Sequence, residues 1–272
     1  SDIQMKSDSF PMIDSFNGIL DGNGHTIYGL TIDEPEAVLD GRTEHRVAFI
    51  RTNTGTVQNL NFENASVKTL VNSGANSYCG AAVVVGENAT GGLISRVQVK
   101  NSTVTAPGLG KAAGIAALNG RNLSAAASIQ DCRFDGSISC GGNTAYGAMM
   151  GGITAYSAGS QTLIKNCYAE ADMTYTGTGA DVIASAAVIC GYPNALTLQA
   201  NVAGEGSIEF PSNVTTANVG RIYGLYNTSY HVKTGDNLAN ETISFNGSPI
   251  VSEDSARDQA TNGTGVTADE LS

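Results

Sequence analysis

The sequence predicts an all-β fold: a single-stranded right-handed parallel β-helix, a three-sided solenoid of about 6–7 rungs. Three observations carry that expectation. Five similar segments follow one another, each about 33 to 38 residues after the last. Within each segment apolar and polar residues alternate, as in a strand with one buried face. Between them recur runs of small apolar residues, which suit close backbone approach inside a narrow core.

The first strand of each repeat spans 56–62, 94–99, 129–134, 164–169 and 197–202. Laid under one another, these give inward columns. One runs Val57, Ile94, Ile129, Ile164; the next runs Leu60, Val97, Cys132, Cys167, Ala200; the third runs Phe62, Val99, Phe134, Ala169, Val202. A second strand follows a short bend bearing Asn or Gly, with Val67, Val104, Ile138, Met173 and Ile208 as its inward column. The third side is expected from the Ala-, Gly- and Val-rich runs 80–85, 112–117, 145–153 and 184–189. A spacing of about 35 residues with strict alternation excludes a coiled coil, whose apolar residues repeat every 3.5.

Composition narrows function by exclusion. With 14 Lys and Arg against 25 Asp and Glu, the formal charge is −11, and no basic stripe exists to neutralise phosphates, so nucleic acid is not expected as a partner. No apolar run approaches the roughly 20 residues of a membrane span, so no membrane insertion is expected within the chain. Cys79, Cys132, Cys140, Cys167 and Cys190 form no CxxC pair and have no zinc-ligand spacing. An odd number excludes complete intramolecular pairing; Cys132 and Cys167 share an inward column on successive rungs, where a disulfide could form between them, and the expected reading is free thiols packed as small hydrophobes. No metal and no cofactor is expected.

The text 16–32, with Phe16-Asn17-Gly18-Ile19-Leu20-Asp21-Gly22-Asn23-Gly24 at its start, resembles the opening of GLUG-motif β-helix proteins, repetitive surface proteins of bacteria. Val47-Ala48-Phe49-Ile50 and the run 54–60 resemble the next rung of that family, and 262–271 is similar to the segment that closes such modules. The resemblance is specific over residues 16 to 70 and loosens afterwards, where Ala- and Gly-rich text replaces the expected Gly-Leu-Phe-Gly signature. It implies an adhesin-like module, extracellular or on the cell surface. Read without it, Asp21-Gly22-Asn23-Gly24 is a turn cluster; an EF-hand loop would continue to a Glu at its twelfth position, and this run turns apolar.

Candidate contact residues come from one outward column and from the tyrosines. Glu63, Lys100, Asp135 and Glu170 fall at the same register on consecutive rungs, so Asp135 and Glu170 should lie about one strand spacing, near 5 Å, apart. That separation suits a retaining glycosidase pair, an ion-ligand pair or a solvated ladder. Tyr168 and Tyr175, in the Tyr-rich second half, join Asp135 and Glu170 as expected ligand contacts, because aromatic faces stack on sugars and serve protein recognition. No catalytic residue is assigned. The Asn-Thr-Asp, Asp-Asp, Gly-His-Gly and Arg-Ile-Lys motifs of pectinase-type β-helices are absent, and His25, His45 and His231 stand apart from any recognisable nucleophile.

The expected organisation is an N-terminal partial rung or cap at 1–15, the β-helix at 16–247, and a polar linker or strap at 248–272, with neighbouring modules of a longer protein beyond. The functional expectation is a non-catalytic surface module that binds a host or environmental glycan or a surface protein. The alternatives are a polysaccharide-degrading β-helix hydrolase or lyase, and an inert stalk.

Overall fold

The computed structural model describes residues 1–6, 8–34, 44–71, 78–141, 148–177, 184–214, 217–224, 232–251 and 261–271. They form a parallel β-solenoid. One side is a six-stranded sheet of Arg46–Val47, Gly80–Ala82, Lys111–Ala113, Met149–Gly151, Ala184–Ala187 and Ala217–Gly220, one strand per turn. The other sides belong to a continuous 22-stranded sheet. Among the described pairings every strand is parallel to its neighbour except Ser244–Phe245 with Ser248–Pro249, a hairpin near the C-terminal end. Helix is confined, among the described residues, to the last few of the chain, including Ala268–Leu271.

The predicted columns are largely those observed. Val57, Ile94, Ile129 and Ile164 are in-register neighbours, as are Val67, Val104, Ile138, Met173 and Ile208, and all are buried. The run read as a third strand holds two short segments separated by a two-residue bend, as in Gly80–Ala82 and Val85–Asn88. The last rung also differs from the sequence alignment. Ile164 pairs with Leu198 and Ala169 with Ala203, so the inward neighbour of Cys167 is Asn201 and not Ala200. Asn201 is buried, and its side chain accepts from the Cys167 backbone N–H at 3.0 Å while donating to the Ile164 carbonyl. A buried amide that meets both needs is stable where an apolar side chain was expected.

The displaced Ala200 occupies a corner. Asn59, Arg96, Asp131, Asn166, Ala200 and Asp236 all have φ between 51° and 55°, one residue per rung at the same bend. Asn and Asp tolerate this left-handed backbone through local hydrogen bonding, whereas Ala has no such compensation. A second polar column lies inside another corner: Asn53 Nδ2 donates to Asn88 Oδ1, and Asn88 Nδ2 to Asn119 Oδ1, each at 2.9 Å. Asn119 Nδ2 then donates to Ser157 Oγ at 3.3 Å. These fully buried amides satisfy one another along the axis.

Volume is matched across the interior. Phe134 fills the space opposite Gly114, where a Cβ would lie 2.1 Å from its ring and 2.4 Å from the Gly152 carbonyl. One rung on, the smaller Ala169 stands opposite Gly152. Aromatic side chains gather towards the two ends: Phe10, Phe49 and Phe62 at one, Tyr175, Phe210 and Phe245 at the other. All five cysteines are buried and free.

The outer face of the short sheet is also covered. Lys111 is 3% exposed, with its Nζ 5.6 Å from the ring centroid of Tyr156, and burial pushes its ammonium down to about 8. Nearby Arg46 pairs with Glu87 at 2.6 Å and with Glu44, and Arg121 reaches both carboxylates.

Two stability outcomes follow. Gly114→Ala should lower unfolding free energy by about 3 kcal/mol through overpacking, and Ala200→Gly should raise it by about 0.5–1 kcal/mol by relieving the left-handed strain, both read from urea denaturation midpoints. Between pH 8 and 10.5 the unfolded chain holds the Lys111 proton that the folded chain has released, so stability should rise with pH across that window. In Lys111→Met the rise should vanish.

Candidate functional site

The parallel ladder that stacks the core also stacks the outward residues, and two irregularities shape what they form. Val99 lies opposite Phe134 and Ser102 opposite Gly136, so Lys100 and Asn101 together face the single residue Asp135. Ala169 lies opposite Ala203 and Ala171 opposite Gly206, so Gly204 and Glu205 together face Glu170. Such bulges bend the strand and re-aim side chains. Asp135 and Glu170 themselves are direct in-register neighbours, as are Glu63 and Lys100.

The result is an open cleft of about 490 Å³ on four successive rungs, lined by Asp135, Glu170, Asp172, Glu205, Ser207 and Thr242 with the backbone of Gly136, Ala171 and Gly206. Four carboxylates therefore border one depression, and the second bulge adds Glu205 to them. Asp172 Oδ1 accepts from the Ser207 N–H at 3.0 Å and its hydroxyl at 2.7 Å. Glu170 is held at both oxygens: the Tyr168 hydroxyl donates to Oε1, and Arg133 Nη2 lies 3.4 Å from Oε2. The Arg133 guanidinium in turn sits 4.7 Å from the centroid of the Tyr168 ring. Gly204 leaves room for that ring, since a Cβ there would lie 2.5 Å from the Tyr168 hydroxyl. Burial, and then the hydrogen bond to Glu170, pushes the Tyr168 phenol up to about 12.

Three of the four sequence-chosen residues thus meet: Asp135 and Glu170 line the cleft and Tyr168 buttresses it. Tyr175 does not join them. It points inward, is 2% exposed and packs edge-on against Phe210, with its ring centroid 5.6 Å away. Its position continues the inward series Ala106 and Cys140, so the alternation that sends Tyr168 outward sends Tyr175 in. An external ligand does not reach it, which corrects the expectation. Arg133, Asp172 and Glu205 were not singled out. Arg133 and Asp172 sit at ordinary outward positions, and Glu205 enters only through the bulge.

Of the remaining tyrosines, Tyr156 and Tyr192 stack at 5.6 Å on the outer face of the short sheet's neighbouring strand, while Tyr146, Tyr226 and Tyr230 lie outside the described residues, as does His231. His45, just before the strand Arg46–Val47, is buried. No three His, Cys, Asp or Glu side chains among the described residues are grouped so as to hold a metal ion. What the cleft offers is hydrogen-bond acceptors in high density, with negative charge that favours hydroxyl, amide or cationic donors and repels anionic polymers.

The arrangement of the strands is shared with proteins of known structure. A crystal structure of a putative immunoglobulin A1 protease from Bacteroides ovatus is similar over 92% of this chain and 69% of its own, with TM-score 0.70 and 20% identity. A chain named IgA1 Protease is similar over 92% of this chain, with TM-score 0.52 and 14% identity. The shared fold is the β-solenoid. This chain spans only 17% of the second protein. At such identities the likeness speaks to fold alone. No family model matches the chain, so the GLUG resemblance rests on the residues that carry it, and no curated protein matches.

The Tyr168–Glu170 contact has a spectroscopic signature. The unfolded phenol titrates near its ordinary value of 10.0 and the folded one near 12, so stability should fall as pH rises between these values. Glu170→Gln should move the folded phenolate titration, followed by ultraviolet absorbance, towards the ordinary value.

Proposed function

We propose that this chain is a non-catalytic, adhesin-like β-helix module of a longer bacterial protein, secreted or held at the cell surface, which recognises a glycan or a protein partner at the Asp135–Glu170 cleft. The observation that carries this reading is the acceptor-lined depression itself, built across four rungs and flanked by the Tyr168–Arg133 stack. Its chemistry suits a ligand rich in donors: a neutral glycan presenting hydroxyls, or a basic segment of a protein. Glu170 is oriented by its neighbours: one oxygen accepts from a phenol and the other lies beside a guanidinium, which leaves lone pairs on both oxygens to accept from a ligand. No helix among the described residues is long and apolar enough to cross a membrane. The resemblance of residues 16 to 70 to GLUG-motif surface proteins supports the same setting.

A second reading has its own support. Both similar structures carry an immunoglobulin A1 protease name, and the larger one is matched over a small share of its length. The solenoid would then be a positioning element of a larger protease and its cleft a contact for the substrate protein.

One experiment separates these readings. The purified chain is incubated with a panel of neutral, acidic and mucin-type polysaccharides and, in parallel, with immunoglobulin A1. The expected outcome is retention of a neutral glycan without new reducing ends or cleaved fragments. Asp135→Asn with Glu205→Gln should weaken retention by about tenfold. Product formation in either arm would overturn the non-catalytic reading. Retention of immunoglobulin A1 alone would select the second.

A further inference from the structure

The end of the solenoid interior holds a charge that the core columns do not explain. Successive backbone hydrogen bonds link Val83, Gly114, Gly152, Val188 and Arg221 into one inward column. Four of the five are the small or apolar residues such a position requires, and the fifth is an arginine. Arg221 is 3% exposed, and its Nε is buried without a hydrogen-bond partner. No described carboxylate lies within ion-pair distance of the guanidinium, although Glu241 is near enough to act on its charge. The backbone there is firmly placed, because the Arg221 N–H donates to Asn262 Oδ1 at 3.1 Å. Burying a guanidinium with an orphaned donor is expensive, and native proteins retain such a group where something satisfies it.

The side chain borders a pocket of about 340 Å³ lined by Arg221, Glu241, Pro249, Ile250, Val251 and Gly265. Its chemistry is asymmetric. A guanidinium at the buried end presents fork-like donors suited to a carboxylate. Glu241, an exposed residue, offers an acceptor suited to an ammonium group. Pro249, Ile250 and Val251 add apolar surface to the lining. Volume and polarity are those of a site for a small molecule.

We propose that this pocket binds a small zwitterion of the α-amino acid class with an apolar side chain, its carboxylate on Arg221, its ammonium on Glu241 and its side chain against Pro249 and Ile250. An isolated anion would meet the Glu241 charge as well as the guanidinium, whereas a zwitterion complements both. The site is separate from the acidic cleft and does not depend on the function proposed for it.

The test is calorimetric titration of the full chain with L-leucine, with isocaproate, which lacks the ammonium, and with leucinamide, which lacks the carboxylate. Leucine should bind saturably, and each analogue should bind at least about tenfold more weakly. Arg221→Met should abolish leucine binding while unfolding at an equal or higher urea concentration, because it removes an unsatisfied buried charge. Gly265→Ala serves if that variant does not fold: its Cβ would lie 2.6 Å from Glu241 Oε1, displacing the carboxylate, so leucine and isocaproate should become equal. Failure of leucine to bind overturns the proposal, as do equal affinities for the three compounds on the unaltered chain or undiminished binding by folded Arg221→Met.

Discussion

In-register stacking of parallel strands is the constraint on which everything else in this structure depends. Each rung offers its backbone to the one before it at about 4.8 Å, so a residue's neighbours along the axis are set by its position within the rung. A side chain must then be compatible with the same position one turn earlier and one turn later. Apolar columns arise because aliphatic groups stack without orientation. The Asn53, Asn88 and Asn119 column arises because an amide carries both a donor and an acceptor, so each can satisfy the next. The corner series from Asn59 to Asp236 arises because one backbone conformation, repeated at each turn, selects residues that tolerate positive φ.

The same constraint explains where the acidic side chains collect. A regular ladder repeats whatever it presents and gives a flat face. The bulges after Val99 and Ala169 break that repetition locally, turning a column of charges into a depression. The acids there cannot all be relieved by one another, and the surrounding groups respond: Ser207 donates twice to Asp172, and Tyr168 with Arg133 holds Glu170. Two of the four acids, Asp172 and Glu170, are thus held in place by neighbouring donors. At the ends the repetition stops altogether, and unpaired strand edges must be blunted. Near the C-terminal end, Thr264–Val266 pairs with Leu238–Asn240 and the Ser244–Pro249 hairpin folds back, while Arg221 takes the place held by Val or Gly in earlier rungs.

The sequence by itself determined the repeat, the parallel stacking, most inward columns and the outward pairing of Asp135 with Glu170. These follow from alternation and spacing, and they are local properties multiplied by a period. It also determined the fate of the cysteines, since Cys132 and Cys167 stand in a column otherwise begun by Leu60 and Val97. What only the tertiary structure decided were the departures from the period. Counting forward from Cys167 pointed to Ala200, but the corner uses Ala200 and sends Asn201 inward, because register is set by hydrogen bonds between rungs and not by resemblance of text. Tyr175 looks like Tyr168 in composition, and its direction came from strand parity and from the room left beside Phe210. Glu205 and Arg221 are unremarkable letters in the sequence. One acquires its place from an extra residue in a bulge, the other from being the last member of a column, and both depend on which rung lies alongside.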